Sequence, residues 1–292
     1  MMDTVVPLLL LTLAAGTPLV FAALGELVTE KSGVLNLGVE GMMLVGAVVA
    51  FITAAITKSP WLGVLAGMLA GAALSLLFAV VTLTLQANQV ASGLALSLFG
   101  VGLSAFAGLD FVSVVIEPIQ PVFGVSPLAV VSLALFAAIQ WFLYKTRAGL
   151  VLRAVGESPQ SAHAIGYPVI RIRYLAVLFG GACAGLGGAY LSIVYNPSWV
   201  EGMTAGRGWI ALALVVFATW KPWRVLAGAY LFGGVTLAQF QAQALGVDIP
   251  AQYLSMLPYV ATIVVLAIIS RDAATIKLNA PASLGRAFHP DA

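Results

Sequence analysis

The chain has 292 residues, of which 61% are hydrophobic and 8% charged, with a formal net charge of +2. A soluble domain carries about 25% charged residues, so a chain this apolar cannot cover its own surface in water, and the class is an all-α polytopic membrane protein. The small net charge gives no footing for nucleic acid, the lone Cys183 excludes an internal disulfide, and two histidines exclude a His-rich metal site.

The amino terminus lacks the cationic n-region of a signal peptide, so the first apolar run is read as a retained span. A spanning helix needs about 20 mostly apolar residues, and Thr4–Leu24 supplies them. Residues 25–41 are too polar to cross and too apolar for an ordinary loop, and a re-entrant path would suit them. Gly41–Thr57 is the next span, followed by a tight corner at Lys58, Ser59 and Pro60. Trp61–Gln86 is long enough to tilt. After a polar island of Gln86, Asn88, Gln89 and Ser92, Val90–Leu109 crosses back. Asp110–Ser126, with Glu117, Pro118 and Pro121, reads as an external loop. Leu128–Tyr144, Tyr174–Tyr195, the short Gly208–Trp220, Val225–Ala244 and Leu254–Ser270 complete about nine spans, within bounds of eight to ten. They form a single transmembrane domain over 1–292, with a cytoplasmic loop at 145–171 and a cytoplasmic tail at 271–292.

The central loop sets the orientation. Lys145, Arg147, Arg153, Arg171 and Arg173 are its cations, and cationic loops between spans stay in the cytoplasm. Lys221 and Arg224 then fall inside, Glu117 and Glu201 outside, and the amino terminus outside. Within the loop, Ser158 is placed to cap a short helix, Pro159 to fill its first position, Gly166 to close it and Pro168 to prevent its continuation. Such a helix, surfaced with Ser161, Ala162 and Ala164, fits a shallow groove on a separate soluble motor; an ordinary positive-inside loop is the plainer alternative. Ser59–Gly67 is similar to Lys221–Gly228, and opposite orientations of the two corners would make an inverted repeat. Chance similarity between Ala/Gly/Leu-rich spans explains the match equally well.

No catalytic constellation is visible. Gly-Lys never occurs, which excludes a Walker A loop, and neither His163 nor His289 lies near an apolar pocket suited to a nucleophile. Two polar groups remain. Glycines around Asn36 and Glu40 weaken a continuous helix, and a carboxylate at the bilayer centre costs about 2.5–3.5 kcal/mol on insertion scales. Asn36 and Glu40 therefore either line a translocation path or brace the start of the second span. Glu201 and Arg207 either pair in an external loop or flank a half-helix at the outer mouth of that path. Asn88 and Gln89 either offer hydrogen bonds to a substrate or mark a turn.

Gly149–Gly166, reading Gly-Leu-Val-Leu-Arg-Ala-Val-Gly-Glu-Ser-Pro-Gln-Ser-Ala-His-Ala-Ile-Gly, resembles the coupling segment of ABC-importer permeases for branched-chain amino acids, simple sugars and nucleosides. Gly25–Met43 is similar to the signature of the nucleoside-type subgroup, and Met203–Ala213 resembles a third family segment. The matches extend over most of the chain, from about residue 20 to about residue 235. Where many relatives carry Asn, this chain has Ser158, and both cap helices well. The resemblance implies a permease subunit of a bacterial inner-membrane importer, without cofactor. Its partners would be a second related permease, two cytoplasmic ATPase subunits and a lipid-anchored or periplasmic binding protein. Arg153, Gly156, Glu157, Ser158, Pro159, Ala162 and Gly166 would carry the coupling to the ATPase.

Overall fold

The computed structural model describes residues 2–122, 124–244 and 279–289, with scattered positions between 250 and 267. Among them the regular structure is helical, apart from two isolated bridges, Val115 with Ser198 and Val122 with Val125. The helices are α1 (Met2–Lys31), α2 (Val39–Thr57), α3 (Pro60–Ala79), α4 (Gln89–Gly108), α5 (Pro127–Lys145), α6 (Arg147–Glu157), α7 (Pro159–Ala164), α8 (Val169–Tyr190), α9 (Arg207–Phe217) and α10 (Pro222–Ala244). Wide π turns prolong α3 through Val80–Thr84 and α8 through Leu191–Tyr195.

Seven of these helices are long and apolar enough to cross a membrane. The expectation of about nine spans is therefore met by seven among the described residues. Helix α9, at 11 residues, is too short to cross, and of Leu254–Ser270 only scattered positions are described. The stretch 25–41 also divides differently from its composition. Residues 25–31 are the last two turns of α1, and only 32–38 leave the helix. The reason is burial: Glu26 and Glu30 turn inward and are 1% and 0% exposed, so protein and not lipid surrounds their carboxylates.

Helix α8 is the central post, packed by α1, α2 and α3 through small residues. A Cβ on Gly46 of α2 would lie 2.5 Å from the Gly185 Cα, and one on Gly67 of α3 would lie 2.6 Å from the Gly46 carbonyl oxygen. Helix association in lipid lacks a hydrophobic driving force and relies on such close backbone approach. Helices α4 and α5 lie outside this group and turn Leu98, Phe106 and Trp141 outward, which costs nothing against acyl chains. At the carboxyl-terminal ends of α4 and α8 the loops close over the bundle. Trp199 is buried against Gly108 at the end of α4, and Ile116 and Ile119 are buried beside it.

The depth of each helix follows from its contacts. Helix α1 runs antiparallel to α8, with Ser32 beside Arg173 and the Pro18 carbonyl beside Gly187. Met43 of α2 touches Gly188. At about 1.5 Å of rise per residue, Gly188 stands about 22 Å above Arg173, and Val39 about 6 Å below Met43. Helix α2 therefore begins about 16 Å along the bundle from the level of Arg173, where α1 ends and α8 begins, a distance about half the thickness of a hydrocarbon core of about 30 Å. The contacts of Gly41 with Ser97 and Gly100, midway along α4, place it at the same level.

Candidate functional site

Residues 32–38 carry non-helical backbone up to that half-depth, where unsatisfied polar groups are costly. Side chains from three helices answer them. Leu35 N donates to Gln89 Oε1 at 2.8 Å, and Ser97 Oγ donates to the Leu37 carbonyl at 2.8 Å. Asn36 N donates to Glu26 Oε1 at 3.2 Å. The Asn36 side chain closes an Asx turn by accepting from Gly38 N at 2.9 Å, while its Nδ2 donates to the Met42 thioether at 3.5 Å.

Glu40 follows in the first turn of α2. Its Oε1 accepts from Thr204 Oγ at 2.6 Å and from Gly206 N at 2.9 Å, and its Oε2 accepts from Gly208 N at 2.6 Å. The amides belong to the start of α9, so the carboxylate sits at the amino-terminal ends of two helices, where the dipoles favour negative charge. The chain has turned back from the carboxyl-terminal end of α8 to reach this point. Ala205 and Gly206 make the turn with φ of +47° and +79°. A Cβ on Gly208 would lie 2.7 Å from Glu40 Oε2, so the knot requires glycine there. From this shared anchor α2 and α9 run in opposite directions, α9 towards the carboxyl-terminal end of α1. There Thr219 and Trp220, with φ of +49° and +52°, end it, and Trp220 Nε1 donates to Glu30 Oε2 at 2.5 Å.

The arrangement brings together Asn36, Glu40 and Gln89 of the sequence-derived path residues, with Arg207 adjacent. Arg207 Nη1 donates to the Thr204 carbonyl at 3.2 Å, and its guanidinium lies 5.9 Å from the Tyr195 ring centroid. Asn88 and Glu201 are exposed, and Asn88 caps α4 by accepting from Ala91 N at 3.0 Å. Sequence reasoning missed Glu26, Glu30, Thr204 and Trp220. The signal was present in the i, i+4 spacing of the two acids, which puts them on one face of α1. Glu26 Oε2 and Glu30 Oε1 have no hydrogen-bond partner among the described residues.

Between α5 and α8, α6 and α7 form an elbow. Thr146 caps α6 by accepting from Gly149 N at 3.0 Å, and Ser158 caps α7 by accepting from Ser161 N at 3.3 Å. Pro159 occupies the first turn of α7, and Gly166 follows it with φ of +93°. Gly156 rests on the Lys31 backbone, and Arg153 lies 5.2 Å from the Tyr144 ring centroid. Pro159 and Ala162 are buried, and Ala162 packs with Val155, Val169 and Phe288. The face presented outward is Gln160, Ser161, His163, Ala164 and Ile165, with Glu157 exposed at its edge.

Comparison with known proteins gives this geometry a family. The family described as "Branched-chain amino acid transport system / permease component" matches residues 8–266. The chain is 40% identical over 315 residues to a putative glucose ABC transporter permease protein of Haloferax volcanii, covering 95% of this chain and 96% of that one. It is 36% identical over 280 residues to a nucleoside ABC transporter permease protein of Lactococcus lactis, covering 86% and 88%. It is 34% identical over 285 residues to a guanosine ABC transporter permease protein of Bacillus subtilis, covering 87% and 89%. The chain is a multi-pass integral membrane protein and a transport subunit, not an enzyme, and it belongs to the branched-chain amino acid transport system permease family.

Proposed function

We propose that this chain is the membrane-spanning subunit of an ATP-driven ABC importer in the cytoplasmic membrane, and that its substrates are nucleosides. The observation that carries the transport reading is the Glu40 knot, in which one buried carboxylate ties two helices that both begin at half-depth. Interrupted helices at membrane depth mark the substrate sites of transporters. Asn36, Glu40, Gln89 and Arg207 then border the path, with Asn88 and Glu201 towards its two mouths. Nucleosides are favoured by the nucleoside and guanosine permeases among the relatives. Simple sugars are the second reading, supported by the 40% identity to the putative glucose permease.

In this reading two cytoplasmic ATPase subunits press on the elbow of α6 and α7. Arg153, Gly156, Glu157, Ser158, Pro159, Ala162 and Gly166 set its shape, and Gln160, Ser161 and His163 meet the motor. A second, related permease completes the path, and a lipid-anchored or periplasmic binding protein delivers solute. We also assign nine membrane segments, counting α9 and residues 254–270. The inverted repeat relates the corners at Pro60 and Pro222, each of which starts a helix.

The test is uptake into proteoliposomes holding the permease, its ATPase subunits and its binding protein. Guanosine should enter only with ATP, and glucose should not compete. Competition by glucose would shift the assignment to sugars. Uptake without ATP or ATPase subunits would sink the importer reading altogether.

A further inference from the structure

The carboxyl-terminal segment is bound to the cytoplasmic ends of four separate helices. Lys31 Nζ, at the end of α1, donates to the Asn279 carbonyl at 2.8 Å. Gly285 N donates to the Gly33 carbonyl at 3.2 Å, just past that end. Ser283 N and Ser283 Oγ both donate to the Gly156 carbonyl at the end of α6, at 3.0 and 2.7 Å. Gln86 Nε2, in the turn after α3, donates to the Phe288 carbonyl at 3.4 Å. The Phe288 ring, 6% exposed, packs with Ala162 and Val169 and stands edge-on to His163 with centroids 5.6 Å apart.

Arg173 is the hub. It lies on α8 and is 1% exposed. Its Nε donates to the Ser32 carbonyl at 3.1 Å, its Nη1 to the Arg286 carbonyl at 3.2 Å and its Nη2 to Ser283 Oγ at 3.1 Å. One guanidinium therefore holds the start of the break between α1 and α2 and two points of the terminal segment. The rigid fork of Arg suits such a joint; an ammonium on a flexible stem does not. Burying a cation this deeply is costly unless its donors are used, and all three of these are.

We propose that residues 281–288 are a strap that moves with α7 and carries its displacement to the break at 32–38, with Arg173 as the positioning residue. Helix α7 reaches α8 directly and reaches the break by two routes: through the end of α6, where Gly156 rests on Lys31 and Gly33, and through this segment, with Phe288 on α7 and Ser283 and Gly285 on Gly156 and Gly33. The strap is thus part of the coupling path and not a loose tail. The inference rests on the reading that a motor drives α7.

The experiment measures uptake and ATP hydrolysis together in the assembled importer. Removal of residues 281–292 and the milder Phe288→Ala should both leave ATP hydrolysis running. Uptake per ATP should fall about tenfold, the effect of about 1.4 kcal/mol of lost coupling. An unchanged ratio in Phe288→Ala overturns the proposal. ATP-independent uptake by the unmodified importer would instead remove the motor reading.

Discussion

Replacing Glu40 by Gln tests the knot that organises the fold. The amide keeps one carbonyl oxygen, which can still accept from Thr204 and Gly206, but its NH2 group then faces Gly208 N. A buried donor left without an acceptor costs about 1–3 kcal/mol, and two charge-assisted bonds become neutral at a loss of about 1 kcal/mol each. Removing a charge from half-depth returns part of an insertion cost of about 2.5–3.5 kcal/mol. The balance is a loss of about 3 kcal/mol, which at roughly 2–4 °C per kcal/mol lowers Tm by about 6–12 °C. The assay is thermal unfolding of the purified permease in nanodiscs, followed by uptake at a temperature where the variant is folded. An unchanged Tm with abolished uptake would refute the reasoning, because it would make Glu40 a solute ligand and not a brace.

Gly208→Ala drives a methyl into the Glu40 side chain and should lower the yield of folded protein, measured by size-exclusion of detergent extracts. Trp220→Phe leaves the buried Glu30 carboxyl without its indole donor, a loss of about 1–3 kcal/mol for an acceptor left unsatisfied, read as a lower Tm. Ser158→Ala removes the cap of α7 and about 1 kcal/mol with it. Membrane insertion should be normal and uptake reduced, with Ser158→Asn restoring it.

The elbow was legible residue by residue, because Ser158, Pro159 and Gly166 act on the backbone beside them and need no distant partner. Seven of the crossings were legible from apolar runs, whereas Gly208–Trp220, counted as a span from its apolarity, forms a helix of only 11 residues. The end of α1 was not, because composition counts Glu26 and Glu30 as polar wherever they point. Their partners decide the matter, and Trp220 lies 190 positions from Glu30. The direction of Ala162 was equally hidden. A small residue suits a motor groove or a close internal contact, and the contact here is Phe288, in what reads from sequence as a plain tail. Glu40 could be placed at a broken helix from its glycines, but its three donors come from a segment that composition leaves open between an external loop and a half-helix, with nothing to tie it to Glu40.

The Glu40 knot also has a consequence for biogenesis. The carboxylate and its donors are separated by 164 to 168 positions along the chain. At a synthesis rate of about 5–20 residues per second, the acid waits about 10–30 s for the groups that will hold it. During that interval the first helices have left the ribosome with their central contact unmade, so this junction closes only late in assembly, whatever the order of insertion.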